Sequence, residues 1–493
     1  MNTKPLYLTT TLPYVNADPH VGFALEIVQA DIIARYWRGR GREVFFNTGT
    51  DEHGQKIFQK AKEVGQDVQA YVDHYAAQFR KLKDGLNLSN DVFIRTTDPG
   101  HIEAAQELWA HCAANIGPQG PDIYKKKYKG LYCVGDEMFV KEADLVNGRC
   151  PNHPNMDPVE IEEENYFFRL SRYQKELEAY LSNPSVILPD WRREEALKFV
   201  QGGLEDFSIS RETARMSWGI PVPGDEAQVM YVWFDALTNY ISTLGWPHSA
   251  EATRGTPGHF TKFWDEGEVV QLAGKDQVRF QSIMWQAMLI SGKVKHTDRV
   301  VYHGFITSGG QKMSKSLGNV IEPLSIAKEY GIDALRYFLA RHIHPFDDSD
   351  FTMDRFKELY NANLANGLGN LASRIMTMAA ANLAAPVEIA AETKSDTMVA
   401  EYVASYELNR AMDAIWERIG HCDALIALEK PFSGVKSSDE QEKAKALALI
   451  EKLVRELHAI ASDLAPFLPE TSAAILAAIA EHKKPANLFP RKE

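Results

Sequence analysis

The chain has 493 residues, 45% of them hydrophobic and 25% charged, with a formal net charge of −13. That length allows several domains, and the composition is that of a soluble globular protein rather than a disordered or fibrous one. The acidic balance excludes nucleic-acid binding by bulk charge, although a local basic face could still serve.

No apolar run is long enough to span a bilayer, and Met1–Pro5 leads into the first strand without a signal-peptide core. Four cysteines do not make a disulfide framework. A cytosolic protein with no membrane partner is expected.

Lys4 to Thr10 reads as a short strand rich in Thr and aromatic or aliphatic residues. After a loop, Leu25, Val28, Ile32 and Tyr36 recur three or four residues apart and predict a helix. Val44 to Thr48 predicts a second, parallel strand. His20 and Gly22 fall where the helix begins, at the carboxyl end of the first strand, where open α/β sheets bind ligands and helix N-termini attract phosphate. His20 can donate to a phosphate oxygen, and Gly22 lets a nucleotide approach the backbone. A lone histidine is more often structural, so this element needs a partner.

Gly117-Pro118-Gln119-Gly120-Pro121 punctuates the chain, and the stretch that follows, to about residue 217, reads as an insertion. Its Lys125, Lys126, Lys127 and Lys129 read equally as a solvated turn before a strand or as a local basic contact face. Cys133-Val134-Gly135-Asp136 and Cys150-Pro151-Asn152-His153 have the spacing of a two-part zinc knuckle. A carboxylate is an acceptable zinc ligand, so the cluster reads either as a Zn2+ site or as a knuckle that packs without metal. Cys112 and Cys422 fall outside it and read as buried or partly buried thiols. The sheet pattern is predicted to resume over Val229 to Phe234, then Val269 to Leu272 and Val300 to Tyr302.

Gly309 to Asn319 places two glycines, Lys312, Lys315 and two serines together. This is the chemistry of a mobile loop closing on phosphate, with charge that need not be in place before the transition state. From about residue 325 the chain turns helical. Gln441 to Leu464 is amphipathic, with Ala446, Leu449, Leu453, Leu457, Ile460 and Leu464 on one stripe and Ser437, Ser438 and Asp439 as a capping signal.

Together the His20 and Lys312–Lys315 motifs resemble the signatures of class I aminoacyl-tRNA synthetases. Leu12-Pro13-Tyr14-Val15-Asn16, Gly49-Thr50-Asp51-Glu52-His53-Gly54, Val232-Trp233-Phe234-Asp235-Ala236 and Gly274-Lys275-Asp276 look like the methionyl-tRNA synthetase family in particular, in that family's order. The resemblance runs through essentially the whole chain. It implies a Rossmann-type parallel-sheet catalytic domain (1–117 and 218–325) and an inserted connective subdomain (118–217). A stem-contact linker (326–355) and an all-α anticodon-binding bundle (356–493) would follow.

The implied reaction joins L-methionine to ATP as methionyl-adenylate, then charges tRNA(Met). His20, Lys312 and Lys315 would stabilise the phosphates with Mg2+, and His20, Gly22, Asp276 and Lys315 would bind ATP. Asp51 would hold the ammonium group. Leu12, Tyr14, Trp233, Ala236, Tyr240 and Trp285 would line the side-chain pocket, with Gln281 beside them. Asn370, Arg374 and Phe432 would read the anticodon.

The sequence departs from the family at Phe23, where a second histidine is usual, and at Gln277 and Gln281, usually aliphatic and histidine. It departs again at Asp136, usually cysteine, and at Phe432, usually tryptophan. The chain ends at Glu493 without the extra C-terminal module of some members, and a monomer is expected. The rivals are another class I synthetase, a catalytically silent tRNA-binding paralogue and a small nucleotidyltransferase.

Overall fold

The computed structural model describes residues 4–135, 138–151, 154–247, 258–313, 319–389 and 396–492, with the side chains of Met138 and Lys312 outside that description. The chain divides into two compact units, Met1–Pro19 with Arg42–Lys81 and Asn90–Tyr302, and His20–Gly41 with Leu82–Ser89 and His303–Glu493.

The first unit is built on a six-stranded sheet in the order Val92–Arg95, Val44–Thr50, Leu6–Thr9, Glu268–Gly274, Arg299–His303, Ile187–Leu188. Leu6 pairs in parallel with both Val44 and Glu268, and Asn47 with Val92. All four residues of Leu6–Thr9 are buried, as a central parallel strand covered on both faces requires. Tyr7, Leu108, Trp109, Phe168, Phe234, Trp264 and Trp285 share one continuous core with this sheet.

The apolar run at Val229 does not continue the sheet. Asp225–Met230 pairs antiparallel with Ser210–Glu212 and Pro221–Val222 in a separate three-stranded sheet, and Val232–Leu237 is helical. A short apolar run carries no period that separates a buried strand from a buried helix. Tertiary contacts decide it.

The lysine cluster also differs from expectation. Lys125, Lys126, Lys127 and Lys129 lie within the strand Ile123–Cys133, not in a turn before it. This strand pairs antiparallel with Val159–Phe168, which sets Lys127 opposite Glu164 and Lys129 opposite Glu162. Lys129 meets Glu160 at 2.8 Å and Lys125 meets Asp225 at 2.8 Å. Opposite charges across a strand pair favour this register, and they cancel much of the positive field the lysines would otherwise project.

In the second unit, Val21–Gly39 is a helix in which Leu25, Val28, Ile32 and Tyr36 are all buried. Helices follow one another from Pro323–Tyr330 to Pro469–Ala480. The helix predicted at Gln441 runs over Glu440–Leu464, and the Asp439 carboxylate accepts from Gln441 N at 2.8 Å. Its buried stripe takes Ile450, leaving Leu449 half-buried. Among the described residues, no helix is long and apolar enough to cross a membrane.

Arg336 ties this unit together from a fully buried position. Its guanidinium donates to the carbonyls of Phe467 at 2.9 Å, Pro466 at 2.9 Å and Leu86 at 3.1 Å, and pairs with Asp31 at 2.7 Å. Asp31 also accepts from Arg35 and from the Ser89 backbone and hydroxyl. Burial opposes the Asp31 charge, but Arg336, Arg35 and Ser89 outweigh it and hold the carboxyl below the usual range. Its stabilising contribution is therefore complete above the ordinary carboxylate range and is lost as pH falls through the depressed value.

Arg336→Met should destabilise this unit by about 3 kcal/mol, because it takes the fully buried guanidinium from a buried carboxylate and leaves three carbonyls without that donor. Urea unfolding followed by circular dichroism measures this. A loss below about 0.5 kcal/mol, the range of ordinary surface substitutions, would remove Arg336 as the anchor.

Candidate active site

In the second unit, His20 caps the helix Val21–Gly39 with extended backbone (φ −120°, ψ 172°), and its Nδ1 accepts from Gly22 N at 3.1 Å. An Nδ1 that accepts must be unprotonated, so the neutral ring carries its proton on Nε2. The cap thus selects the tautomer that can donate from Nε2. No acidic residue occupies the first turn, which suits an anion at the positive end of the helix dipole. The Phe23 ring packs 4.5 Å from the imidazole, so the residue that replaces a histidine braces His20.

A β-carbon on residue 22 would stand 2.8 Å from His20 Cε1 and 2.9 Å from Nδ1. Glycine there is a condition of the cap. The same position lies 3.8 Å from the Met313 methyl, which brings Met313 to the helix start. That loop leaves a hairpin of Ile306–Ser308 and Gln311–Lys312, with Thr307 opposite Lys312. Gly309 and Gly310 take φ of +62° and +73°, as a tight hairpin turn needs. Asp350 fixes the turn by accepting from Gly310 N at 2.8 Å and Thr307 Oγ1 at 2.7 Å. Lys315 and the Lys312 side chain lie outside the described residues.

Asp51, Asp276 and the candidate substrate-pocket residues belong to the first unit. The loop after Leu6–Thr9 carries Leu12 and Tyr14, both half-buried. Tyr14 bridges to Asp51, where Val15 N donates to Asp51 O at 3.2 Å and Asp51 N donates to Pro13 O at 3.0 Å. Asp51 is buried at the end of Val44–Thr50. Its neighbour Glu52 is fully engaged by Thr50 Oγ1 at 2.6 Å, Thr97 Oγ1 at 2.6 Å and Arg95 at 2.7 Å.

The pocket aromatics form two groups. Trp233 stacks on Phe280 at 3.9 Å with an 11° interplanar angle. Tyr240 lies 5.8 Å from Trp285, and Gln281 Nε2 donates to the Tyr240 hydroxyl. Ala236 is buried on the same short helix as Trp233. Gln281 Oε1 and Trp285 Nε1 are buried and make no hydrogen bond among the described residues. Asp276 sits exposed on the single turn Lys275–Gln277, directly after the strand Glu268–Gly274.

Residues 6–160 and 154–376 match the model of the family described as tRNA synthetases class I (M). The methionine–tRNA ligase of Rhizobium meliloti is 39% identical, over 97% of this chain and 92% of that one. The Thermotoga maritima ligase is also 39% identical, over 98% of this chain and 76% of its own. The Mycobacterium tuberculosis methionyl-tRNA synthetase solved with methionyl-adenylate superposes with a TM-score of 0.87 at 34% identity, covering 99% of both chains. This chain belongs to the class I methionyl-tRNA synthetase family.

Members of this family are aminoacyl-tRNA synthetases, and the remaining candidate residues can be placed against that activity. Asn370 is exposed at the start of Asn370–Asn382, so it is not a buried helix amide. Arg374 pairs with Asp423 at 2.8 Å. Phe432 is 47% exposed just after Lys430, whose φ is +47°, and Pro431, so its ring is not core. Cys133 and Cys150 are both buried, while Asp136 and His153 lie outside the described residues. Among the described residues, no three of His, Cys, Asp and Glu are grouped to hold a metal ion. Burial pushes the Cys112 thiol up to about 12 and Cys422 up to about 11, which makes both unreactive.

One cluster escaped the sequence reading. His53 Nδ1 and His101 Nε2 each lie 2.7 Å from an oxygen of the buried Asp235. Burial opposes the Asp235 charge, and the two imidazoles outweigh it and hold its carboxyl below the usual range. His53 and Asp235 sit inside the family runs noted above. The signal was an acid within an apolar run, which sequence alone does not pair with two histidines so far away.

Gly22→Ala tests the cap. The added methyl must displace the His20 ring, so adenylate formation should fall by about tenfold or more, with little change in thermal stability. ATP–pyrophosphate exchange and a melting curve measure the two. Unchanged exchange would show that the capped ring does not act on the phosphates.

Proposed function

We propose that this enzyme activates L-methionine with ATP and transfers the methionyl group to the 3′-terminal ribose of tRNA(Met). In the first step a methionine carboxylate oxygen bonds to the α-phosphorus of ATP, and the α–β bridging bond breaks to release pyrophosphate. In the second, the terminal ribose hydroxyl attacks the activated carbonyl and AMP leaves.

The observation that carries the substrate is a set of packed aromatic side chains in the same unit as the buried acid Asp51. Trp233, Tyr240 and Trp285 are packed in the unit that holds Asp51 at a strand end. A thioether is uncharged, flexible and polarisable, and packs well on ring edges. Ala236, Leu12 and Tyr14 complete an apolar wall, and Gln281 contributes a side-chain amide. Asp51 is the counter-charge for the substrate ammonium.

The phosphate chemistry needs positioned positive charge more than covalent help. His20 donates from Nε2, Gly22 admits the nucleotide, and Asp276 accepts from its ribose. Lys312 and Lys315 bring charge to the α-phosphate as pyrophosphate departs. Mg2+ arriving with ATP neutralises the phosphate oxygens when bound. Asn370 and Arg374 hydrogen-bond splayed anticodon bases and Phe432 stacks on one. Zn2+ would be held by Cys133, Asp136, Cys150 and His153, where it would pin the knuckle. The alternative is a knuckle that packs without metal, and metal analysis of the purified protein decides: one equivalent of zinc assigns the site and none gives the metal-free knuckle.

Exchange of pyrophosphate into ATP, run with each amino acid in turn, tests the reading. Methionine alone should support it. With no second histidine at Phe23, Lys315→Ala should slow exchange more than His20→Ala, each by about 10²-fold or more. Exchange with a different amino acid would break the substrate assignment. No exchange at all would favour a silent tRNA-binding protein.

A further inference from the structure

Residues 232–242 carry three pocket residues and three polar anchors on adjacent faces. Trp233, Ala236 and Tyr240 recur at helical spacing, and so do Asp235, Asn239 and Ser242, of which Asp235 and Asn239 are fully buried and Ser242 is half-buried. Each anchor is bonded outward. Asp235 accepts from His53 Nδ1 and His101 Nε2, both at 2.7 Å. His101 Nδ1 lies 2.9 Å from Ser242 Oγ. Asn47 Nδ2 donates to Asn239 Oδ1 at 3.1 Å, and Asn239 Nδ2 donates back to Ala236 O at 2.6 Å.

The geometry fixes the protons. A carboxylate that is bonded through both oxygens accepts at each, so His53 carries a proton on Nδ1 and His101 on Nε2. The side chains of Asp235, His53 and His101 are 1%, 7% and 0% exposed. A charge this deep is costly to leave uncompensated, so the two imidazoles cannot drift away from it independently. His53 stands two residues after Asp51 on the segment that leaves Val44–Thr50. His101 stands on the helix Pro99–Ala114. Asp235 therefore connects the strand end that bears the ammonium acid to the helix that bears the side-chain wall.

We propose that His53, Asp235 and His101 form a positioning relay that sets the spacing between Asp51 and the wall of Trp233, Ala236 and Tyr240, and so sets the fit of the amino acid. These residues touch each other rather than the substrate. The inference deepens the methionine-activation reading and rests on it. An amino acid held at both its ammonium and its side chain is sensitive to that spacing, whereas ATP is not held by this wall. Loss of the relay should therefore weaken one substrate and spare the other.

The test is steady-state ATP–pyrophosphate exchange with each substrate varied in turn. His101→Leu, His53→Leu and Asp235→Asn should raise KM for methionine by about tenfold or more, with KM for ATP within about twofold of the parent. Two conservative variants distinguish positioning from bulk stability. His101→Gln places an amide nitrogen near the Nε2 donor, and His53→Asn places one near the Nδ1 donor. Both should keep KM for methionine within about threefold of the parent. They also carry the test if a leucine variant does not fold.

Amide variants that behave like the leucine variants would overturn the relay. So would KM values for methionine and ATP that rise together, or a fall in kcat at unchanged KM for methionine. Exchange by the unmodified enzyme separates the two levels. If methionine drives none, the substrate reading falls and the relay's role falls with it. If methionine drives exchange and the variants leave its KM unchanged, only the relay falls.

Discussion

A carboxylate stays ionised in a protein interior only when other groups replace the water it has lost. Among the described residues, Asp31, Glu52 and Asp235 meet that demand, and each organises the part of the molecule around it. Asp31 draws in Arg336, Arg35 and Ser89, and Arg336 reaches on to the carbonyls of Leu86, Pro466 and Phe467. The helix that opens at His20 is thereby fixed to the C-terminal helices of its own unit. Glu52 draws in Arg95, Thr50 and Thr97 at the strand end beside Asp51. Asp235 draws in His53 and His101.

The consequence is a division of labour within the run Thr50 to His53. Thr50 and Glu52 lock the strand end to Arg95. His53 locks it to the helix Val232–Leu237. Asp51, between them, is presented by neighbours that are themselves immobilised. A buried acid held this way is already ordered, and order of this kind is what preorganisation contributes to affinity. The helix start at His20 is built on the same logic at smaller scale. Gly22 makes room for the ring, its N–H selects the tautomer, and Phe23 packs against the imidazole.

The departures from the family pattern have physical readings in this light. Phe23 removes a donor and adds a packing surface for the donor that remains. Gln281 keeps a buried polar group that donates to the Tyr240 hydroxyl. Phe432 keeps an exposed ring suited to stacking on a base. The lysines of the inserted strand are held by the acidic strand opposite, so a tRNA contact there would have to compete with glutamates already in place.

Elements that announce themselves locally were legible in the sequence. The strand at Leu6, the helix carrying Leu25 to Tyr36 and the long capped helix ending at Leu464 each carry their own period, cap or turn. So do the two glycines that open the lysine loop, which make a left-handed turn accessible, and Gly309 and Gly310 take it. Family motifs supplied the order of the site residues. What the sequence could not supply was every feature fixed by a partner distant along the chain. The run after Val229 became strand and then helix because neighbouring strands and the buried Asp235 claimed its two halves. Lys125 to Lys129 became a ladder strand because the acidic strand Val159–Phe168 lay opposite, with Glu164 facing Lys127 and Glu162 facing Lys129. The relay of His53, Asp235 and His101 exists only after the sheet brings three remote segments together. Periodicity is a property of neighbours along the chain, whereas the compensation of buried charge is a property of neighbours in space, and only the tertiary fold decides the second.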